Sequence, residues 1–327
     1  MDKALSRLGP HLLRMSDGET GARTGWVQPT IEWLRADPDV ELIRDGNWTS
    51  YEDTPQFKVR DGHTFEPDNI HLSYTDWFHD SYEGFKTLKQ RHGFPDIRFQ
   101  VGMPAAPDMG MMTFGFEEGR ADESLGRAFG TAMVREIETI HAEAGDDVVF
   151  QLEAPPSTVG VTMVPPQAQE QVAKGIATAL NRVAANSPEG AHFGYHLCLG
   201  DMEHEAMGES TSALPLVLLT NAIVETFPEG RTLDYVHAPF AASNKPGSLD
   251  KAWYEPLTDL VIPDDVRFAP GFVHELSEIE DLKRMLAMVE DLAGREVDIS
   301  TACGIGRMPS DDQAWAAVDK MVALLKS

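Results

Sequence analysis

The feature that most constrains the fold of this 327-residue chain is an eightfold alternation of short apolar runs with longer amphipathic stretches. Strands separated by helices pair in parallel through right-handed crossovers, and eight such units close into a (β/α)8 barrel. An open doubly wound sheet competes with this interpretation, but no glycine-rich phosphate motif follows the first strand. We therefore predict an α/β fold of the (β/α)8 barrel type. The predicted strands are residues 11–15, 70–74, 97–103, 148–152, 192–198, 233–237, 266–272 and 296–301.

Residues 41–69 are not part of the eight predicted strand–helix units. Residues 41–69 contain Asp61-Gly62 between alternating residues, which is a hairpin signal. We predict a hairpin inserted after the first helix, within a single barrel domain that spans residues 1–327. The length agrees with this, because one such barrel routinely exceeds about 200 residues.

The charge and the cysteine count exclude several classes of protein. With 53 acidic against 27 basic side chains, the net charge is −26. Nucleic acids and anionic membranes bind clustered lysine and arginine, so neither is an expected partner. No apolar run approaches the roughly 18 residues of a membrane span, and the N-terminus lacks the apolar run of a signal peptide. Two cysteines cannot form a disulfide framework, so we expect a cytoplasmic protein. The sequence does not determine its oligomeric state.

Sulfur and imidazole side chains stand at the ends of three predicted strands, where such barrels carry their catalytic groups. His196 and Cys198 are two positions apart on one strand, so their side chains point to the same side. His237 ends the next strand, and Cys303 follows the last one. Two thiolates and two imidazoles suit Zn²⁺, and the sequence predicts a zinc site formed by these four residues. The alternative is that the cysteines are small buried apolar groups and His196 is a core histidine.

Carboxylates follow other predicted strands. Asp17 and Glu19 follow the first strand and Glu153 follows the fourth, where a carboxylate can bind a substrate ammonium or act as an acid or base. We predict Asp17, Glu19 and Glu153 as substrate-binding residues, with Glu153 also catalytic. His274 follows the seventh strand as a candidate proton donor. The run from Asp17 to Gly21 is equally typical of a turn, and His274-Glu275 of a surface loop.

The loop after the third predicted strand is rich in methionine and phenylalanine. These residues can line a pocket for an apolar or aromatic group, with Met103 as a substrate contact, or can pack as a lid on the barrel. They are Met103, Met109, Met111, Met112, Phe114 and Phe116.

Several of these segments resemble cobalamin-independent methionine synthase, in the superfamily that includes uroporphyrinogen decarboxylase and epoxyalkane:coenzyme M transferase. The resemblance extends over residues 97–327 and is weaker before them. His196-Leu197-Cys198 is similar to the family's His-x-Cys strand, and Cys303-Gly304-Ile305-Gly306 to its late Cys-Gly segment. Gln151-Leu152-Glu153-Ala154-Pro155 is similar to its Gln-x-Asp-Glu-Pro strand, and Pro270-Gly271-Phe272-Val273 is a weaker match.

The resemblance implies a zinc-dependent transferase that moves a methyl or other alkyl group from a small donor to a metal-bound thiol. The implied ligands are His196, Cys198 and Cys303; the family's fourth ligand is a glutamate, and His237 stands at the matching position here. Glu153 would bind an amino-acid ammonium. A coordinated thiol is deprotonated, and only the thiolate is nucleophilic. The charge of −26 argues against the polyanionic folate donor of the family.

Two alternatives remain open at this point. One is a zinc-dependent epoxide:thiol lyase or ligase of the coenzyme M transferase kind, which requires an arginine pair for an anionic thiol, with Arg23 and Arg307 as candidates. The other is a non-catalytic barrel that binds a small ligand.

Overall fold

The computed structural model describes residues 1–326, in which helices and strands alternate along the chain. Local signals fix several helix ends: the Asp122 side chain accepts a hydrogen bond from Ser124 N and begins α6, and Gly145 ends it at φ 54°. None of the helices described is both long and apolar enough to cross a membrane. The α-helices are α1 Asp2–Leu8, α2 Gln28–Trp33, α3 Tyr74–His92, α4 Ala106–Phe114, α5 Phe116–Ala121, α6 Glu123–Ala144, α7 Pro155–Thr162, α8 Pro166–Asn186, α9 Leu214–Glu225, α10 Lys251–Tyr254, α11 Ile279–Ala293 and α12 Asp311–Leu324.

Nine strands occur in the described residues. Seven of them form one sheet in the order β1-β4-β5-β6-β7-β8-β9, and β2 pairs with β3 in a separate antiparallel sheet. The pairs β1–β4, β4–β5, β7–β8 and β8–β9 are parallel. The strands are β1 Arg14–Met15, β2 Val40–Arg44, β3 Gln56–Val59, β4 Arg98–Pro104, β5 Val148–Ala154, β6 His192–Leu197, β7 Thr232–Pro239, β8 Arg267–Val273 and β9 Ser300–Thr301.

The α/β class and the parallel arrangement are therefore confirmed, whereas the count of eight is not. Residues 70–74, predicted as the second strand, form no strand, and β1 pairs directly with β4. Ile70, Leu72 and Tyr74 are buried alternately, which is the pattern that the prediction used. Ser73 adopts φ 63°, however, and α3 begins at the next residue. A left-handed residue cannot continue an extended ladder, so closure into an eight-stranded barrel stays a prediction.

The segment 41–69 contains an antiparallel strand pair, but its turn is not at Asp61-Gly62. Leu42 pairs with Phe57, and the connection between β2 and β3 lies at residues 45–55. Asp61 and Gly62 instead make a later turn, in which His63 N donates to Arg60 O and Gly62 has φ 80°. Asp61-Gly62 therefore does form a turn, but the two strands of the hairpin are joined by the longer connection at residues 45–55.

Two compact units divide the chain. The first unit comprises residues 1–153, 182–193 and 228–232, and the second comprises 154–181, 194–227 and 233–326. In the first, Phe99 packs against Phe85 and Phe78 with ring centroids 5.0 and 5.9 Å apart. In the second, Phe240 packs against Phe268 at 5.9 Å. Burying each such ring contributes about 1.5–3 kcal/mol. A single domain over 1–327 stays a prediction, and its last residue lies outside the described part of the chain.

Candidate metal centre and acidic pocket

Three of the four predicted metal ligands meet in the second unit. His196 lies on β6, Cys198 directly follows that strand, and Cys303 follows β9. One ligand atom from each lies within 4.8 Å of the others, and residues 1–326 contain no other group of three or more such side chains. The two Sγ atoms are 3.8 Å apart, and Cys303 Sγ is 3.9 Å from His196 Nε2. We call these three residues the thiol–imidazole cluster.

The donor set and spacing of the cluster fit zinc. Tetrahedral Zn²⁺ with Zn–S bonds of about 2.3 Å separates two sulfur ligands by about 3.8 Å, which matches the separation observed between the cysteines. Both cysteines are free thiols. Thiolate and imidazole are the ligands that zinc prefers in tetrahedral sites. These three residues could therefore hold the ion and leave a fourth position for another ligand.

His237 does not join the cluster, because both of its ring nitrogens bind elsewhere. Its Nε2 lies 2.8 Å from Thr301 O, and its Nδ1 lies 2.9 Å from His196 Nδ1. A carbonyl only accepts, so Nε2 carries the proton and, in the neutral ring, Nδ1 accepts from His196. The His196 proton then lies on Nδ1, and Nε2 presents its lone pair toward Cys303. His237 thus fixes the tautomer and the ring orientation of His196, as outer partners of metal-binding histidines do.

One proton is shared unequally within the cysteine pair. Donation from the Cys303 thiol lowers the pKa of Cys198 well below its usual range, assisted by His196 and by Gly200 N–H at 3.3 Å, while burial opposes the shift. The same interaction, together with burial, raises the pKa of Cys303. Cys198 is accordingly the cysteine that the surroundings stabilise as a thiolate. Thr158 Oγ1 accepts a hydrogen bond from Cys198 N and helps to hold this position.

The loop after Cys198 adds two polar residues that the sequence analysis missed. Burial, followed by the charge of Cys198, raises the pKa of Asp201 to about 6. Glu203 and His204 have φ 51° and 60° in a tight turn closed by Met202 and Glu205. Turns of this kind normally contain Asn or Gly, so the backbone at Glu203 and His204 is strained. The turn places His204 Nε2 3.1 Å from Glu275 Oε1. The signal available in the sequence was that Asp201 and His204 come shortly after the His-x-Cys strand.

His274, the predicted proton donor, is a buried residue rather than part of a surface loop. Its side chain is 3% exposed. Nε2 lies 3.2 Å from Ser243 O, and Nδ1 accepts from Leu276 N at 3.1 Å. Burial lowers the pKa of His274, although Glu275 partly offsets this. With both nitrogens engaged by the backbone, the ring supports the start of the following loop; its role as a proton donor stays a prediction.

In the first unit, Asp17 organises a loop, and its role in substrate binding stays a prediction. Its carboxylate accepts from Glu19 N at 2.9 Å and from Ser81 Oγ at 2.5 Å, and it pairs with the Arg23 guanidinium. The turn expected from this segment is therefore formed. The turn holds Glu19 at φ 47°, and Trp26 in the same loop adopts φ 56°. Two strained non-glycine residues in one loop are typical of a functional site.

Glu19 and Glu153 converge above Gly102 on β4. A Cβ atom built on this glycine would lie 2.7 Å from Glu19 Oε1 and 2.6 Å from Glu153 Oε1, so the two oxygens are within about 5 Å of each other. Burial and then the charges of Glu153 and Glu19 raise the pKa of Tyr74 well above its usual range. The acidic pocket, as we call this region, encloses about 490 Å³ including solvent at its mouth. It is lined by Ser16, Asp17, Glu19, Arg23, Trp26, Tyr74, Trp77, Phe78, Phe99, Gln100, Val101 and Gly102.

Met103 is not among the residues that line this pocket. It is fully buried on β4, where it pairs with Leu152. Successive residues of a strand point to opposite faces, so Met103 and Gly102 lie on different sides of the strand. The methionine-rich segment after it forms α4, of which Met109 and Met112 are also buried. Met103 is thus a core residue in this structure, and its contact with a substrate stays a prediction.

Comparison with known proteins finds similarity in structure alone. No protein-family model matches the chain, and neither does any curated protein sequence. The chain is similar to a B12-independent methionine synthase from Shewanella sp. W3-18-1 in complex with selenomethionine, with 12% identity, TM-score 0.57, and 99% of this chain and 86% of that chain covered. It is similar to a putative vitamin-B12 independent methionine synthase from Listeria monocytogenes, with 12% identity, TM-score 0.50, and coverage of 99% and 83%.

A third similar structure is a methyltransferase from Methanosarcina mazei, with 14% identity, TM-score 0.51, and coverage of 100% and 84%. At these identities the comparison concerns the fold. The resemblance inferred from the sequence motifs is confirmed at that level: the chain has a fold like that of the methionine synthase structures.

Proposed function

We propose that this protein is a zinc-dependent transferase that moves a methyl or other alkyl group from a small donor to a thiol. The observation that carries the proposal is the thiol–imidazole cluster, whose sulfur–sulfur separation equals that of two tetrahedral zinc ligands. The fold shared with methionine synthase and methyltransferase structures supports the same assignment. The partners would be a small-molecule thiol and a small alkyl donor.

The residues would divide the work as follows. His196, Cys198 and Cys303 would hold Zn²⁺, which when bound would keep a substrate thiol in its nucleophilic thiolate form. His237 keeps the Nε2 lone pair of His196 directed at the cluster. Asp201 feels the charge of Cys198, and its Oδ1 is buried without a hydrogen-bond partner in the described residues. We assign it the acceptance of the thiol proton. Glu19 and Glu153 would bind the positively charged part of a substrate.

The epoxide-opening alternative needs a pair of arginines, and only one of the two candidates lies near the cluster. Arg307 acts electrostatically on Asp201 and Cys303, whereas Arg23 is paired with Asp17 and lies over the Trp77 ring at 5.8 Å. A guanidinium committed to a neighbouring carboxylate is a poor receptor for an anionic thiol cofactor. We therefore prefer alkyl transfer.

Zinc analysis of single variants tests the proposal. After loading with zinc and dialysis, we expect about one zinc per wild-type chain and less than about a tenth in Cys198→Ser, Cys303→Ser and His196→Gln, because three-ligand sites tolerate the loss of a ligand poorly. The matched control is His79→Gln, a histidine whose side chain is 50% exposed and pairs with Glu143; it should keep its zinc. Circular dichroism establishes that each variant is folded. Full occupancy in both cysteine variants would overturn the proposal.

A further inference from the structure

We propose that His204 is the residue that takes up the proton of the substrate thiol in the end, and that Asp201 passes the proton to it. This inference rests on the proposed transferase function, in which Asp201 accepts that proton first. It adds a second acceptor of the residue type whose charge ordinarily changes between pH 5 and pH 8. The residues concerned all belong to the second unit.

The ring of His204 has one nitrogen bound and one open. Its Nε2 lies 3.1 Å from Glu275 Oε1. A carboxylate only accepts, so Nε2 carries the proton and the neutral ring keeps its lone pair on Nδ1. This Nδ1 is buried and has no hydrogen-bond partner among the described residues. An imidazole lone pair whose opposite nitrogen is oriented by a carboxylate is the arrangement of a general base.

Glu275 is suited to stabilise the imidazolium that forms when Nδ1 takes up a proton. Its side chain is 5% exposed, so water screens its charge only weakly. The backbone on each side of it is held by Lys320 of α12, whose Nζ donates to Glu275 O at 2.6 Å and to Ser277 O at 2.8 Å. Glu275 is therefore a fixed partner that orients the neutral ring and attracts the charged one.

The loop after β6 holds His204 close to the end of that strand. The loop begins directly after Cys198 and folds back on itself, because Met207 N donates to Leu199 O at 2.8 Å. His204 lies in a tight turn inside this loop, with φ 60°. A strained residue inside a closed loop is held by the surrounding contacts and is typical of a functional site.

Asp201 connects His204 to the thiol–imidazole cluster electrostatically. Burial and then the charge of Cys198 raise the pKa of Asp201, whereas the charge of His204 lowers it. Asp201 Oδ1 is buried and, like His204 Nδ1, has no hydrogen-bond partner in the described part of the chain. An acidic oxygen and a basic nitrogen that lie in one loop, both open, are suited to exchange a proton.

The other charged groups around His204 do not offer an open base. His274 interacts with it electrostatically, but both ring nitrogens of His274 are engaged by backbone groups. Arg307 acts on the same Asp carboxylate and only donates. Glu203 and Glu205, on either side of His204, are exposed. The open imidazole nitrogen in this region therefore belongs to His204.

The proton transfer balances without a co-reactant. The S–H bond of the substrate breaks, and its electron pair stays on the sulfur, which becomes the nucleophilic thiolate. The proton bonds to Asp201 Oδ1 and then to His204 Nδ1, so the carboxylate is ionised again. Because 22% of the His204 side chain is exposed, the imidazolium can afterwards release the proton to water.

The number of protons released on thiol binding tests the proposal. The zinc-loaded protein is titrated with 2-mercaptoethanol at neutral pH in buffers of different ionisation enthalpy, so that calorimetry counts the protons. Because a thiol bound to a metal loses its proton to water unless a nearby group accepts it, we expect less than about 0.3 proton per thiol from the wild type and more than about 0.7 from His204→Gln. Glu275→Gln should release an intermediate number. The matched control is His63→Gln, which removes a half-exposed imidazole paired with Asp39 in the first unit and should behave as the wild type.

The outcomes separate this role from the transferase function. Complete proton release by the wild type would overturn the role of His204, and so would retention by His204→Gln, since Asp201 would then suffice. If circular dichroism shows that His204→Gln is unfolded, Glu275→Gln decides, and proton retention equal to that of the wild type would overturn the proposal. Failure of the wild type to bind zinc or the thiol would overturn the transferase function, and this role with it.

Discussion

The thiol–imidazole cluster and the acidic pocket are held in opposite ways. In the cluster the polar groups satisfy one another: His237 links His196 to Thr301, and Cys303 shares its proton with Cys198. At the acidic pocket Asp17 is neutralised by Arg23, whereas the buried Glu153 carboxylate accepts from the neutral Gln151 amide and faces Glu19 above Gly102. The cluster is thus an ordered set of soft ligands suited to a metal, whereas the pocket brings carboxylates together.

The largest expected effect separates the two regions. Cys198→Ser should weaken zinc binding by about 100-fold or more, since loss of a ligand exceeds the 10–100-fold effect typical of outer partners. Glu153→Gln should keep its zinc affinity, because Glu153 is not part of the cluster. Chelator competition measures the zinc affinity of both variants. If Glu153→Gln loses zinc as Cys198→Ser does, the regions are not chemically independent and the comparison fails.

A second test concerns the difference between a ligand and a positioning residue within the cluster. His237→Gln should weaken zinc binding about 10–100-fold without abolishing it, because His196 keeps its place but loses the partner that fixes its tautomer. His92→Gln, on the surface of the first unit, serves as the matched control. A loss as complete as that of His196→Gln would mean that His237 is itself a ligand.

Two glycines sharpen the comparison through stability. In Gly271→Ala the new Cβ would lie 2.6 Å from Thr301 O and 2.7 Å from His237 Nε2, so backbone must move and the free energy of unfolding should fall by about 1–3 kcal/mol. In Gly102→Ala it would meet only the flexible ends of Glu19 and Glu153. We expect Gly102→Ala to change the free energy of unfolding by less than about 1 kcal/mol. Urea unfolding distinguishes these results, and the reverse pattern would contradict the account.

The smallest expected effect is a pH dependence at His274. Burial lowers the pKa of this side chain in the folded protein below the ordinary value of 6.5. The neutral ring therefore stabilises the fold above pH 6.5, and this contribution is lost as the pH falls through 6.5 toward the folded pKa. His274→Gln does not titrate. The stability advantage of the wild type over this variant should shrink between pH 7.5 and pH 5.5 in urea unfolding, and a constant advantage would contradict the assignment.

The cluster could be predicted from sequence because its residues obey strand geometry. His196 and Cys198 are two positions apart at the end of a strand, and Cys303 follows another, so alternation and parallel order bring them together. His237 was expected at the end of a strand and lies on β7, two residues before its last residue, Pro239. However, its ring binds the Thr301 carbonyl. The sequence near His237 does not reveal a contact with a backbone group 64 residues away.

The acidic pocket was only partly predictable for the same reason. The positions of Glu19 and Glu153 after strands were visible in the sequence, but their convergence depends on Gly102 lacking a side chain. Likewise, residues 70–74 show the burial pattern of a strand, and only the left-handed Ser73 excludes one. Periodicity reports which side chains are buried, not whether the backbone between them is extended.

X-ray absorption spectroscopy at the zinc edge of the loaded protein tests the central claim most directly. The account predicts two sulfur ligands at about 2.3 Å and at least one nitrogen at about 2.0 Å, from Cys198, Cys303 and His196. Addition of a small thiol should raise the sulfur count from two to three. A first shell of oxygen and nitrogen alone, or a sulfur count unchanged by saturating thiol, would contradict the assignment of this cluster as the site of thiol activation.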